Sequence, residues 1–455
     1  VKSEKNAVSL ASPFPLDERI GGVGDLLAWF NACCAPESRH WVGIEVERLG
    51  VDSGNGEAVT YSGERGIESA LEVLASSYGW SPKREDGHII QLKKGACYIN
   101  LEPGGQLEVS GSPEGDLHAV KAEQDRVSSL MGGLGGQRGV SWIGCGMHPY
   151  SDLYGIEWVP KGRYRIMSRY FKDTGSLGHR MMKQTASVQA SFNYFSEEDA
   201  LNKMKLALVL SPVATAMFAN SPISNGAVNG FLSSRAWVWS DTDPARCGMI
   251  EGVLAGDGGF RDYIEYALSV PMLFVVREGR WVKIDSIPFR DFMNKGAGGH
   301  HATYADWELH LTTLFPDVRM KHIVEVRSAD AQRPEIMMSV PAFWKGILYD
   351  RDALEDAWER VGDIGMRDLC RLVEEVPKMA LGADLNGERI LGMAKEMIEL
   401  SRDGLIRQGK GEEVYLEPLE EMVVEREITP AEDVIERWEK GWREDPAGFI
   451  EFHSY

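Results

Sequence analysis

From 40 to 51 the chain reads HWVGIEVERLGV, an alternation of apolar and polar positions that predicts a strand with one buried face. On either side the spacing changes to that of helices. Residues 24–32 (GDLLAWFNA) predict a short amphipathic helix, and 68–77 (ESALEVLASS) predict another, with Ile67, Leu71 and Leu74 on one side. Between 87 and 111 three short strand-like runs are broken by KKGA and PGG, the punctuation of an antiparallel hairpin series. Further helices are predicted over 115–134, 197–209 and 260–268. Runs 272–276 and 281–284 read as strands paired across REGR, and 322–327 reads as another strand.

After 350 the pattern turns to long helical runs rich in Glu, Lys, Leu and Met, ending in an amphipathic stretch over 430–440. No internal repeat and no Pro/Ser linker interrupts the chain. The reading is an α+β protein with an unpacked lead-in at 1–20, one catalytic α+β domain over 21–349, and a helical section over 350–455 packed on that core.

The 455 residues are 43% hydrophobic and 26% charged, a balance that folds rather than stays disordered. With 49 Lys and Arg against 69 Asp and Glu, the net charge of -20 opposes nonspecific binding to nucleic acid or anionic lipid. An anionic ligand would then need metal ions or a few placed arginines. The six cysteines show no CxxC pair, so neither a zinc site nor a disulfide framework is signalled. The most apolar segment, 206–219, is interrupted by Ser, Pro and Thr and is too short to span a bilayer. With no secretory pattern in the first residues, the expectation is a soluble, cytoplasmic protein. The glycine-rich GGLGGQRG at 132–139 lacks the Lys-Ser/Thr ending of a phosphate-binding loop and follows a helix, so it reads as helix termination and a turn.

Candidate chemistry lies in acids that share strands. Glu45 and Glu47 are two apart, so both leave the same face; Glu102 and Glu108 flank a Pro-Gly-Gly turn among apolar residues; Glu325 and Arg327 alternate in HIVEVRS. Each pair alone is a common surface pattern. Together they place oxygen ligands on several strands of one curved sheet, where hard cations such as Mg²⁺ could bridge nucleotide phosphates. His300, His301 and His310 lack zinc spacing and read as solvent or packing residues. Trp237 and Trp239 read as alternating strand positions in core and wall, and Cys247 as structural.

The ordered motifs GIEVERLG, YSGERGIESALEVL, INLEPGGQLEVSGSP, KGRYRIMSRYF, GHRMMKQTASVQASFNY, FANSP, SSRAWVWSDTDPARCGM, FPDVRMKHIVEVRSAD and PAFWKGILYD resemble glutamate-cysteine ligases of the plant and proteobacterial type. These are relatives of the glutamine synthetase-like carboxylate-amine ligases. The resemblance implies a curved antiparallel sheet with surrounding helices, whose concave face holds ATP and Mg²⁺, with Mn²⁺ as a substitute. It implies phosphorylation of the L-glutamate γ-carboxylate, then attack by the L-cysteine amine to give γ-glutamylcysteine, the first step of glutathione-type thiol synthesis, by a monomer or homodimer.

By that resemblance Glu45, Glu47, Glu102, Glu108 and Glu325 match metal ligands, with Gln189 at a polar ligand position near the nucleotide. Arg327 matches the arginine facing the transferring phosphoryl group, and Arg235 the one gripping the glutamate α-carboxylate, while Arg163 and Arg165 are weaker substrate or phosphate candidates. The chain reads VQASFNY where many members read VQVNLDF, placing Asn193 at an Asp position, and EVRSAD where plant members read EMRGAD. Residues 284–301 lack the cysteines of plant redox control, so thiol switching of that kind is not expected. Two alternatives stay open: another amine or amino thiol as acceptor, favoured by the change at Asn193, and a nucleotide or amino acid binding module without turnover.

Overall fold

The computed structural model describes residues 12–256, 259–443 and 445–455. Its centre is a nine-stranded sheet: β1 (Val42–Asp52), β2 (Ser81–Glu85), β3 (His88–Lys94), β4 (Cys97–Leu101), β5 (Leu107–Ser110), β6 (Val140–Ile143), β7 (Ser187–Phe192), β8 (Val318–Met320) and β9 (Val324–Asp330). The order is β8-β9-β7-β1-β5-β4-β3-β2, with β6 pairing the far end of β1. Every pairing in it is antiparallel.

One face of the sheet is apolar. Ile44, Val46, Ile99, Leu101, Leu107, Val109, Val188, Ala190, Phe192, Val324 and Val326 are all buried. They pack against α1 (Leu117–Gly136), α3 (Glu197–Met217) and α5 (Ser339–Leu348). Two helices stand at the other face, α2 (Gly162–Thr174) and α4 (Ser234–Ser240), and α6 (Leu391–Gln408) packs behind α5. Strand alternation thus fixes which side chains are left for chemistry.

The predicted strands and helices recur within a few residues, with four differences. The lead-in is packed where it is described, although 1–11 lie outside the described residues: Phe14 stacks on Tyr304 at 5.0 Å and Ile20 is buried. The helix expected over 197–209 runs on to Met217 through Pro212, because its surroundings are apolar on all sides and bury even Ser211, whose hydroxyl donates to the Ala207 carbonyl. The glycines at 132–136 lie in the last turns of α1 instead of following it. A Cβ on Gly135 would stand 2.5 Å from the Val140 carbonyl oxygen, so this glycine is what admits β6. Trp237 and Trp239 sit on the short helix α4, not on a strand.

The helices after 350 share one apolar core with the sheet. Their anchor is a buried ion pair between Lys345 on α5 and Glu412, whose other carboxylate oxygen accepts from the Leu117 backbone N–H at 2.7 Å. None of the described helices is long and apolar enough to cross a membrane.

Candidate active site

On the polar face the strand registers stack side chains into rows. Gln91, Asn100, Glu108 and Glu47 are successive cross-strand partners; the next row holds Tyr98, Ser110, Glu45 and Gln189, and the next Ser191, Glu325 and Arg319. Cross-strand partners face the same side, so residues up to 280 positions apart in sequence converge. Of these, Gln91, Asn100, Glu108, Glu47, Glu45, Gln189 and Arg319 floor a cleft of about 440 Å³, whose walls include Lys161, Arg163, Tyr164, Trp239 and Trp281.

The acids differ in charge state for visible reasons. Burial, with Glu108 and Glu325 nearby, pushes the Glu45 carboxyl up to about 7; burial with Glu102 and Glu108 pushes Glu47 up to about 8. Glu47 accepts from the Ser187 backbone N–H at 2.6 Å and from the Ser187 hydroxyl at 3.0 Å. Glu108 is also raised, by burial and then Glu102, against the opposing help of hydrogen bonds from Asn100 at 2.7 Å and Ser110 at 2.8 Å. Glu102 lies past the end of β4, 3.4 Å from the Tyr164 hydroxyl.

Glu325 is the exception. Burial alone would raise it, but Arg319, Lys321 and Arg327 together hold it well below the usual carboxylate range. Arg319 and Arg327 donate to the same oxygen at 2.6 and 2.7 Å, and the Lys321 ammonium stands 2.8 Å from the other. Arg327 also donates to the Gln189 amide oxygen at 2.5 Å. An extra residue in β9, between Val326 and Ala329, forms a bulge just where Arg327 is presented.

Arg235 is held from below. It stands in the first turn of α4, whose cap Ser233 accepts from the Ala236 N–H at 3.1 Å and donates to Asp330 at 2.9 Å. Asp330 also accepts from the Asn220 N–H at 2.8 Å and the Ser221 hydroxyl at 2.6 Å, which is the local reason for the FANSP and SSR motifs. The Arg235 guanidinium donates to the Arg327 carbonyl at 2.8 Å and lies 5.9 Å from the Trp239 ring.

Glu45, Glu47, Glu102, Glu108, Gln189, Arg163, Arg235 and Arg327 line the cleft, and Glu325 lies directly beneath it, bound to Arg327. Arg163 lies 5.5 Å from the Phe274 ring. Arg165 is not among them: two positions further along α2, it is exposed and 3.5 Å from Asp86. Gln189 and Glu325 already accept from Arg327, so they position that arginine in this structure. Asn193 lies outside the cleft, accepting from the Trp41 N–H at 3.0 Å and the Tyr349 hydroxyl at 2.6 Å and tying β1, β7 and α5 together. The substitution there does not touch the cleft.

Sequence reasoning missed Arg319, Lys321 and Lys161. The first two were readable, because Arg319, Lys321, Glu325 and Arg327 all fall on one parity of VRMKHIVEVR. Lys161, just before α2, is pushed down to about 8 by burial and by Arg163 and comes to the cleft only through the fold. His310 is buried and hydrogen-bonds the Ala267 carbonyl at 2.8 Å, a packing role.

The donor set suits a hard divalent cation. Glu45, Glu47 and Glu108 are carboxylates whose affinity for protons is raised by burial first and by neighbouring acids second. Among the described residues no three acidic, His or Cys side chains close into a complete cage.

The sequence profile of glutamate-cysteine ligase family 2 matches residues 41–450. The chain belongs to this family. Among its relatives in the family, the chloroplastic glutamate-cysteine ligase of Solanum lycopersicum is 37% identical over 421 residues, covering 92% of this chain and 80% of the relative. Chloroplastic glutamate-cysteine ligase B of Oryza sativa subsp. japonica is 37% identical over 422 residues, 92% of this chain and 84% of the relative. The cytoplasmic location expected from the sequence is thereby overturned, since these family members are named as chloroplastic. Glutamate-cysteine ligase from Francisella tularensis, solved with AMP, has the same fold at 11% identity and a TM-score of 0.54, over 92% of this chain and 89% of the other. A bifunctional glutathione synthetase from Pasteurella multocida aligns at 12% identity and a TM-score of 0.55, over 92% of this chain and 52% of the other.

Proposed function

We propose that this chain joins the γ-carboxylate of L-glutamate to the amine of L-cysteine at the expense of ATP. The phosphoryl group passes to the γ-carboxylate, and the amine then displaces phosphate from γ-glutamyl phosphate. A carboxylate is a poor electrophile until one oxygen becomes a leaving group, which is why the chemistry needs ATP. The observation that carries the reading is the meeting, on one sheet face of a family member, of proton-hungry acids with an arginine locked by its own carboxylate.

Arg327 is the residue for the transferring phosphoryl group. Its fixed position means that little reorganisation is needed as charge develops. Arg235 is the residue for the glutamate α-carboxylate, its unused N–H groups forming a fork. Glu45, Glu47, Glu102 and Glu108 would hold Mg²⁺, or Mn²⁺, which when bound offsets the charge of the nucleotide phosphates. Lys161 and Arg163, on the rim, suit the remaining phosphate oxygens.

Incubation with ATP, MgCl₂, L-glutamate and L-cysteine should release ADP together with γ-glutamylcysteine. ADP release that ignores cysteine but follows another amine would reject the acceptor. No ADP release with any amine would reject the ligase reading.

A further inference from the structure

A smaller cavity of about 70 Å³ opens on the far side of Arg235 and Arg327 from the carboxylate floor, sharing both arginines, Trp239 and Phe315 with the main cleft. Three polar groups meet there. The Arg235 guanidinium makes a single hydrogen bond, to the Arg327 carbonyl, leaving its other N–H groups for the cavity. Among the described residues the half-buried carboxylate of Asp317 accepts no hydrogen bond; it feels Arg235 and Arg327 but pairs with neither within 4 Å. The Ser328 hydroxyl, nineteen-twentieths buried on the β9 bulge, has no hydrogen-bond partner.

An unpaired carboxylate beside an underused guanidinium and a buried hydroxyl without a partner is a costly arrangement unless a ligand of both charges meets it. The cost disappears if a zwitterion sits between them. Resting on the ligase reading above, we propose that Asp317 anchors the α-ammonium of the substrate amino acid while Arg235 takes its α-carboxylate, with Ser328 completing the contact. The amino acid then points its side chain past Arg327 toward the phosphoryl-transfer cleft. A diacid without the ammonium would cover Asp317 and leave it unpaired, so the pocket selects α-amino acids over plain dicarboxylates.

The test is equilibrium binding, read by calorimetry in the presence of a non-hydrolysable ATP analogue and MgCl₂. Wild-type protein should bind L-glutamate at least about tenfold more tightly than glutarate, which lacks only the α-ammonium. In Asp317→Asn that preference should shrink to within about twofold through loss of glutamate affinity, with affinity for the ATP analogue kept. Equal binding of the two diacids by wild type, or no binding of either, overturns the proposal without any variant. An Asp317→Asn protein that folds, binds the analogue and retains the full preference overturns it as well. ADP release by wild type on glutamate and cysteine reports separately on the ligase reading, which survives if the pocket assignment falls.

Discussion

Glu325 and Glu47 are both half of an acid-rich floor, yet they are held in opposite ways. Glu325 is the carboxylate that Arg319, Lys321 and Arg327 share, so Glu325→Gln takes their common partner from three clustered cations. A loss of about 3–5 kcal/mol is expected in urea unfolding; a loss below ~1 kcal/mol would mean the cations find other partners. Glu45 and Glu47 hold protons up to about 7 and about 8, against 4.5 for an ordinary Glu. Raised carboxyl pKa values stabilise the fold fully below the unfolded value, and that contribution is lost as pH rises through the folded values. The metal-free protein should therefore lose thermal stability as pH rises from about 4.5 to about 8, and MgCl₂ should restore much of it. Calorimetry at stepped pH checks this, and Glu47→Gln should flatten the slope. An unchanged slope in that variant would show that the acids are not the titrating groups.

The elements convert separate motifs into one site. Asp330 closes β9 and receives hydrogen bonds from Asn220, Ser221 and Ser233, so a strand end fixes the loop and helix that carry Arg235. Asp330→Asn should raise the KM for glutamate by about tenfold, the equivalent of ~1.4 kcal/mol or one charge-assisted hydrogen bond, while the KM for ATP stays near wild type. Equal increases in both would point to general loosening of the sheet. The alternation of Glu45 with Glu47, and of Glu325 with Arg327, was legible because strand parity is a local property. Which strands adjoin was not. The pairing of Glu47 with Glu108 and of Glu45 with Gln189 depends on registers between distant segments, as does the arrival of Lys161. Arg165 misled because KGRYRIM is helical: at 100° per residue, positions two apart diverge, and only Arg163 meets the cleft.

At the scale of the whole molecule the helical section after 350 is part of the same hydrophobic core as the sheet. A chain ending at Tyr349 would strip Leu369, Leu372, Met397 and Ile398 from that core and leave Lys345 without Glu412. It should be insoluble or fail to unfold cooperatively; a soluble, cooperative fragment with ATP affinity would show a separable unit. Cellular address was misread because charge and apolar content describe folding and solubility, not destination. The net charge of -20 was informative in another way: it gives an anionic ligand no help, and the cations that a nucleotide would need are gathered in one cleft, among them Lys161, Arg163, Arg235 and Arg327.

That cleft is proposed to move a phosphoryl group onto the side-chain carboxylate of glutamate, and isotope transfer reads the step directly. With L-glutamate carrying ¹⁸O in its γ-carboxylate, ATP and cysteine, the released phosphate should contain one ¹⁸O per turnover, lost from the γ-carboxyl oxygen as the amide forms. Phosphate released free of ¹⁸O, with both labels kept in glutamate, would contradict formation of γ-glutamyl phosphate in this site.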